Sequence, residues 1–125
     1  MAARILVADD EPYITTVVAR KLENVGFEVI VANDGQEAYE RAVAEMPDLL
    51  ITDLQMPVMN GLELCARLAA ELPVPIPAIL LTAKGFELDA DEVGRLPIRR
   101  VLTKPFSPRD LVEKVKEALQ TAVVS

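Results

Sequence analysis

Acidic, hydroxyl and amine side chains follow four of the apolar runs in this chain of 125 residues. Three carboxylates brought close together cannot all stay ionised without a counter-charge. A hard divalent cation bound through oxygen atoms supplies that charge, and Mg²⁺ is the usual choice. If the ends of these four apolar runs meet in the folded chain, their side chains have the chemistry of a metal-assisted phosphate site. The residues at these ends, in chain order, are Asp9, Asp10, Asp53, Thr82 and Lys104.

The role of each group in such a site follows from its chemistry. Asp53 is the candidate nucleophile, because a carboxylate can form a covalent intermediate. Lys104 would hold the transferring phosphoryl group through its positive charge, and the hydroxyl of Thr82 would bind another phosphate oxygen. Phosphoryl transfer requires mainly positioning and charge neutralisation, and this set of residues offers both.

Taken singly, each of these residues also has an ordinary structural explanation. Asp9 and Asp10 could cap a helix, and Asp53 could open a turn. Thr82 could simply end a strand, and Lys104 could be a solvated surface charge. The prediction of a functional site therefore depends on all four ends converging on one crevice.

The elements that would position these residues are predicted from hydrophobic periodicity. Short apolar runs indicate strands, and the segments between them have helical spacing, with a short, mobile helix expected within residues 84–96. This alternation predicts an α/β fold, a doubly wound parallel sheet with helices on both faces. Ligands bind beyond the carboxyl ends of the strands in such sheets, which is where the candidate residues lie. The predicted strands are residues 4–8, 27–32, 49–53, 78–82 and 98–103.

Capping residues mark the ends of the predicted helices. Pro12 suits the first position of a helix over residues 12–25, and Gly26 suits its end. Side chains that can accept hydrogen bonds from a first helical turn precede three further helices. These predicted N-cap residues are Asp34, Asn60 and Ser107.

Composition and charge exclude several classes of function. The net charge of −7 argues against nucleic-acid binding, which needs a basic surface. The longest uncharged stretch, residues 72–83, is shorter than the roughly 20 residues that cross a bilayer. The absence of His excludes a Ser-His-Asp triad and any His-ligated metal, and Cys65 is alone, so no intramolecular disulfide forms. We expect a soluble, cytoplasmic protein in which Cys65 is buried.

Four segments of the chain contain the candidate residues. They are Ile-Leu-Val-Ala-Asp-Asp-Glu-Pro ending at Pro12, Asp-Leu-Gln-Met-Pro-Val-Met-Asn-Gly from Asp53 to Gly61, Thr82-Ala83, and Leu-Thr-Lys-Pro-Phe ending at Phe106. Together these segments resemble those of bacterial response-regulator receiver domains. The resemblance covers nearly the whole chain, in the order and spacing typical of that family. It implies a five-stranded flavodoxin-like sheet with strand order 2-1-3-4-5.

The resemblance implies a metal site of four residues. Asp10 and Asp53 match direct ligands, and Asp9 matches an acid that acts mostly through water. The backbone carbonyl of Gln55 matches a further ligand. The implied cofactor is Mg²⁺, with Mn²⁺ as an alternative.

The resemblance also implies the residues that contact phosphate. Asp53 matches the phosphoacceptor, and Thr82 and Lys104 match the phosphate-sensing pair. The backbone N–H of Ala83 matches another phosphate contact. The peptide bond between Lys104 and Pro105 would be cis by analogy.

The chain departs from the family pattern at Val101, where receivers often carry an aromatic residue that turns inward on activation. The output signal therefore cannot be an aromatic rotamer change at this position. Gln55 and Lys84 flank the site at positions that influence the lifetime of the acyl phosphate in this family.

The resemblance implies a phosphoacceptor module of two-component signalling that receives its phosphoryl group from a sensor histidine kinase or a phosphotransfer protein. We expect one receiver domain over residues 1–125, with its core at about 3–121 and no output domain. Its partner downstream would be a protein, without direct contact with nucleic acid or insertion into a membrane. Enzyme activity is not expected beyond self-catalysed phosphorylation and dephosphorylation of its own Asp.

Two other functions remain as alternatives. A pseudo-receiver would act as an interaction module without phosphorylation, and the absence of an aromatic residue at Val101 leaves room for this. A flavin-binding protein of similar topology would need a phosphate loop rich in Ser, Thr or Gly after the first strand. The acidic run at Asp9 and Asp10 would repel the flavin phosphate.

Overall fold

The computed structural model describes residues 2–83 and 87–124, and side chains through residue 120. Five strands and five helices alternate along these residues, as the periodicity predicts. They are β1 Arg4–Ala8, α1 Pro12–Asn24, β2 Glu28–Ala32, α2 Gly35–Glu45, β3 Leu49–Asp53, α3 Gly61–Glu71, β4 Ala78–Thr82, α4 Ala90–Gly94, β5 Ile98–Thr103 and α5 Pro108–Val124.

The strands form one parallel sheet in the order β2-β1-β3-β4-β5. This confirms the predicted doubly wound architecture. The three inner strands are buried on both faces, which explains why β3 and β4 are apolar at nearly every position.

Two hydrophobic clusters lie on opposite faces of the sheet, because neighbouring residues of a strand point to opposite sides. On one face Ile51 and Ile79 pack against α1 and α5. On the other face Leu6 and Leu50 pack against α2 and α3. The second cluster includes Cys65, whose exposed fraction is 2% and whose burial raises the pKa of its thiol to about 12. This confirms that Cys65 is a buried core residue.

Local hydrogen bonds begin the helices where the sequence predicts. The side chain of Asn60 accepts from the N–H of Glu63, and the Glu63 carboxylate accepts from the N–H of Asn60, so a complete capping box starts α3. The side chain of Asp34 accepts from the N–H of Glu37 at 2.7 Å and caps α2. Gly26 follows α1 with φ +102°, a conformation that suits glycine.

The predicted boundaries differ from the observed ones in a few places. β2 begins one residue later than predicted, and α1 ends one residue earlier. Among the described residues 87–96, the weak helix expected in this region spans Ala90–Gly94, which Asp89 caps. Residues 84–86 lie outside the described part of the chain. Within residues 2–83 and 87–124, none of the helices has the length and apolarity that crossing a bilayer requires.

Candidate functional site

The carboxyl ends of β1 and β3 bring the candidate acids together. Ala8 pairs with Thr52 in the sheet register, so Asp9 and Asp53, the next residues along each strand, come side by side. One carboxylate oxygen from each of Asp9, Asp10 and Asp53 lies within 4.8 Å of the others. Asp9 and Asp53 are buried and Asp10 is exposed, so the cluster is open to solvent on one side.

Lys104 reaches this cluster from the end of β5. Its Nζ lies 3.0 Å from Oδ2 of Asp9, 3.3 Å from Oδ1 of Asp53 and 3.5 Å from Oε1 of Glu11. The backbone N–H of Lys104 donates to the carbonyl of Thr82 at 2.7 Å, which joins the ends of β4 and β5. One edge of the sheet thus carries the Lys104 amine, Thr82 and the carboxylates.

Two hydrogen bonds hold the buried carboxylate of Asp9 in place. Its Oδ1 accepts from the backbone N–H of Glu11 at 2.9 Å, and its Oδ2 accepts from Lys104 at 3.0 Å. The N–H of Asp9 itself donates to the carbonyl of Ala32 at 3.2 Å. Asp9 is therefore held by three separate segments of the chain, at Glu11, Ala32 and Lys104.

The site carries more negative charge than Lys104 neutralises. Burial, and then the charges of Asp9 and Asp10, raise the pKa of Asp53 from 3.8 to about 6 against the opposing effect of Lys104. Burial likewise raises the pKa of Asp9. Burial alone would lower the pKa of Lys104, but its hydrogen bond to Asp9 and the charge of Asp53 raise it. The ammonium group thus remains charged, and it is a single positive charge among several carboxylates.

This donor set fits a hard divalent cation. Carboxylate oxygens are the ligands that Mg²⁺ prefers, and the exposed side of Asp10 leaves room for the waters that Mg²⁺ keeps. Gln55, whose backbone carbonyl is another predicted ligand, lies in the loop directly after β3 and is exposed. Burial, and then the charge of Asp9, raises the pKa of Asp53, and a cation bound beside this carboxylate would favour its ionised form.

Thr82 and Ala83 lie at the end of the neighbouring strand. Asp53 pairs with Leu81 in the sheet register, so Thr82 is one residue beyond the partner of Asp53. Thr82 is buried, and its hydroxyl donates to the carbonyl of Ala83 at 3.5 Å. Ala83 is exposed and lines a cavity of about 510 Å³ together with Lys104.

The remaining predicted positions lie around the site as follows. The peptide bond between Lys104 and Pro105 is cis. Val101 lies in the edge strand β5 with 39% of its surface exposed. Lys84 falls outside the described residues.

Sequence reasoning missed three contributors to the site. The Glu11 side chain contacts Lys104, and the acidic residue directly after the Asp pair was a signal for this. The hydroxyl of Thr52 donates to the backbone carbonyl of Asp53 at 2.9 Å. Gly61 packs directly against the backbone of Asp53, and no pattern in the sequence indicates that contact.

Comparison with known proteins agrees with the fold. The response regulator receiver domain profile matches residues 5–116. The chain is 38% identical over its full length to the alkaline phosphatase synthesis transcriptional regulatory protein PhoP of Bacillus subtilis, and covers 52% of that protein. It is 41% identical over 93% of its length to the phosphate regulon transcriptional regulatory protein PhoB of Pseudomonas aeruginosa, covering 51%. The chain spans about half the length of these relatives.

Solved structures show the same fold. The receiver domain of AraT from Geobacillus stearothermophilus superposes with a TM-score of 0.85 at 33% identity, with 98% of this chain and 96% of that chain covered. A response regulator receiver domain protein from Clostridium thermocellum gives a TM-score of 0.87 at 27% identity, with 98% of both chains covered.

The chain belongs to the response regulator receiver domain family. Receiver domains are signalling modules of two-component systems, and this membership gives the chain a phosphoacceptor role. The comparisons do not favour the alternative of a phosphorylation-independent interaction module.

Proposed function

We propose that Asp53 is the residue that accepts the phosphoryl group, in a reaction that depends on Mg²⁺. The single observation that carries this proposal is the convergence on Asp53 of two further carboxylates within 4.8 Å and of the Lys104 ammonium at 3.3 Å. Asp53 ends a central strand, and its side chain is 9% exposed beside the exposed carboxylate of Asp10. A phosphoryl donor would approach Asp53 from the side of Asp10.

Asp10 and Asp53 would bind the cation directly, with the backbone carbonyl of Gln55, and Asp9 would act mostly through water. Asp9 suits an indirect role because each of its carboxylate oxygens already accepts one hydrogen bond, from the N–H of Glu11 and from Lys104. When bound, Mg²⁺ supplies positive charge that neutralises the oxygens of the transferring phosphoryl group. Mn²⁺ has the same preference for oxygen ligands and would substitute.

Lys104 and the end of β4 would hold the phosphoryl oxygens. Lys104 contributes an ammonium fixed beside Asp53, which is the arrangement that stabilises developing negative charge. The Thr82 hydroxyl makes only a 3.5 Å contact with the Ala83 carbonyl, so it can turn towards a phosphoryl oxygen at little cost. The N–H of Ala83 would add a donor at the same strand end.

The donor would be a sensor histidine kinase or a phosphotransfer protein, and the phosphorylated domain would bind a downstream protein differently. Phosphorylation adds about −1.5 to −2 charge, taking the value for phosphoserine. Lys104 and Thr82 would respond first, because Lys104 already contacts Asp53 and Thr82 is one residue beyond the strand partner of Asp53. With valine at position 101, the response would travel through β4 and β5 without an aromatic side chain.

Mass spectrometry after incubation with acetyl phosphate and Mg²⁺ tests this function. We expect one phosphoryl group on the parent protein, none on Asp53→Asn, and an unchanged result for Asp91→Asn, an exposed acid on α4 that serves as matched control. The same variants without Mg²⁺ should remain unmodified. An unmodified parent, folded and with metal present, would contradict the proposal.

A further inference from the structure

The Lys104 ammonium has a carboxylate neighbour for each of its three protons. Its partners are Asp9 at 3.0 Å, Asp53 at 3.3 Å and Glu11 at 3.5 Å. A phosphoryl oxygen arriving at Asp53 would be a fourth acceptor for a group that has no fourth proton. One carboxylate must therefore release Lys104 before the ammonium can bind the phosphoryl group fully.

The burial of the three carboxylates indicates which of them releases Lys104 most easily. The side chain of Asp9 is fully buried and that of Asp53 is 9% exposed, so neither can exchange Lys104 for water at low cost. The side chain of Glu11 is 62% exposed and makes the longest of the three contacts. An exposed ion pair of this kind contributes little and is readily replaced by water.

We propose that Glu11 is a positioning residue whose carboxylate accepts the third hydrogen bond of Lys104 until a phosphoryl oxygen displaces this carboxylate. Through this contact, Glu11 slows phosphorylation of Asp53. This inference rests on the proposed function of Asp53 and Lys104. In the reaction with acetyl phosphate, an oxygen of Asp53 forms the new bond to phosphorus. The bond between phosphorus and the acetate oxygen breaks, and acetate leaves as a carboxylate with the bonding electron pair. The Glu11 carboxylate takes no part in either bond.

The two contributions of Glu11 can be separated by mutation. Its backbone N–H holds Asp9, and any side-chain substitution retains that hydrogen bond. Glu11 is also the N-cap of α1, but its side chain makes no capping hydrogen bond, so replacing the side chain removes no cap. Substitution at Glu11 therefore acts on the contact with Lys104.

The test measures the rate of phosphorylation by acetyl phosphate at saturating Mg²⁺ in Glu11→Gln and Glu11→Asp. Glu11→Gln removes the charge, whereas Glu11→Asp keeps it and withdraws the carboxylate by one methylene. We expect both to react roughly two- to fivefold faster than the parent, the range set by an exposed ion pair. The matched control is Glu28→Gln, because Glu28 is also 62% exposed and also 3.5 Å from its cation, Arg4. Its rate should equal that of the parent.

A second measurement needs neither metal nor phosphate. The ¹⁵N resonance of the Lys104 ammonium, recorded in EDTA, should move in both Glu11 variants and stay in place in Glu28→Gln. If the parent accepts no phosphoryl group, the proposed function fails, while this resonance still reports on the contact with Glu11. Parent-like or slower rates in both Glu11 variants would overturn the inference. Acceleration in Glu11→Gln alone would also overturn it, because a general charge effect would then suffice.

Discussion

Gly61 lies so close to Asp53 that a Cβ atom on Gly61 would be 2.4 Å from the backbone carbonyl oxygen of Asp53. The N–H of Gly61 also donates to the carbonyl of Leu54 at 2.8 Å. The first turn of α3 is therefore packed directly against the strand end that carries the candidate phosphoacceptor. Any side chain at position 61 must displace that strand end or the helix.

We expect Gly61→Ala to destabilise the protein by roughly 1–3 kcal/mol, the usual cost of overpacking. Helix propensity alone predicts the opposite sign, because alanine favours a helix more than glycine does. Urea denaturation measures the free energy of unfolding, and the rate with acetyl phosphate should fall as Asp53 shifts. Gly94→Ala is the control, because a Cβ there meets no atom within 4 Å. Equal stability changes in the two variants would show that the close approach is unimportant.

The raised pKa of Asp53 predicts how stability depends on pH in the absence of metal. Between about pH 4 and pH 6 the folded state retains a proton that the unfolded chain has lost, so stability falls as pH rises through this range. At pH 7 the ionised carboxylate costs of the order of 1–3 kcal/mol. Asp53→Asn should thus be more stable than the parent at pH 7 in EDTA, and the difference between their free energies of unfolding should become smaller towards pH 4. Urea denaturation across this range measures that difference. A difference that does not change with pH would refute the raised pKa of Asp53.

Mg²⁺ should stabilise the parent protein against urea, because the folded state gathers the carboxylates and the unfolded chain does not. At a concentration ten times the dissociation constant, the gain is about 1.4 kcal/mol. Asp10→Asn removes a proposed direct ligand on the exposed side of the cluster, so its gain in stability at the same concentration should be smaller. Asp91→Asn should respond as the parent does. The measurement is made at constant ionic strength, and equal gains in all three proteins would argue against a site at Asp10.

Val58 stores strain in the loop between β3 and α3. It has φ +73°, and the N–H of Met59 donates to the carbonyl of Pro57 at 2.8 Å, which closes a γ-turn around Val58. A β-branched residue in this conformation costs of the order of 1–3 kcal/mol. We expect Val58→Gly to raise the free energy of unfolding by about 1 kcal/mol after the entropic cost of glycine is subtracted.

The control for this variant is Val74→Gly. Val58 is 79% exposed and Val74 is 63% exposed, so neither substitution removes much buried surface. Val74 has no positive φ, and glycine should therefore destabilise the protein there. Thermal and urea denaturation should give opposite signs for the two variants, and a loss of stability in both would mean that Val58 is not strained.

The sequence alone predicted the order of the elements and the residues at the strand ends. This is because apolar periodicity and capping are local: the capping box of Asn60 joins residues three positions apart, and each strand is a run of about five residues. The region before β5 carries a weaker periodic pattern, since α4 has five residues and no buried side chain. The parallel arrangement followed from the alternation of strands and helices, and it placed Asp9 beside Asp53 before any distance was known.

Only the tertiary structure decided how those residues touch. Lys104 is 95 positions from Asp9 and 93 from Glu11, and its 3.0 Å and 3.5 Å contacts depend on the packing of β5 beside β4. The approach of Gly61 to Asp53 and the positive φ of Val58 come from folding the loop after β3 against the sheet. Patterns of residue type do not fix such distances, because burial and charge at the site arise only when separate segments meet.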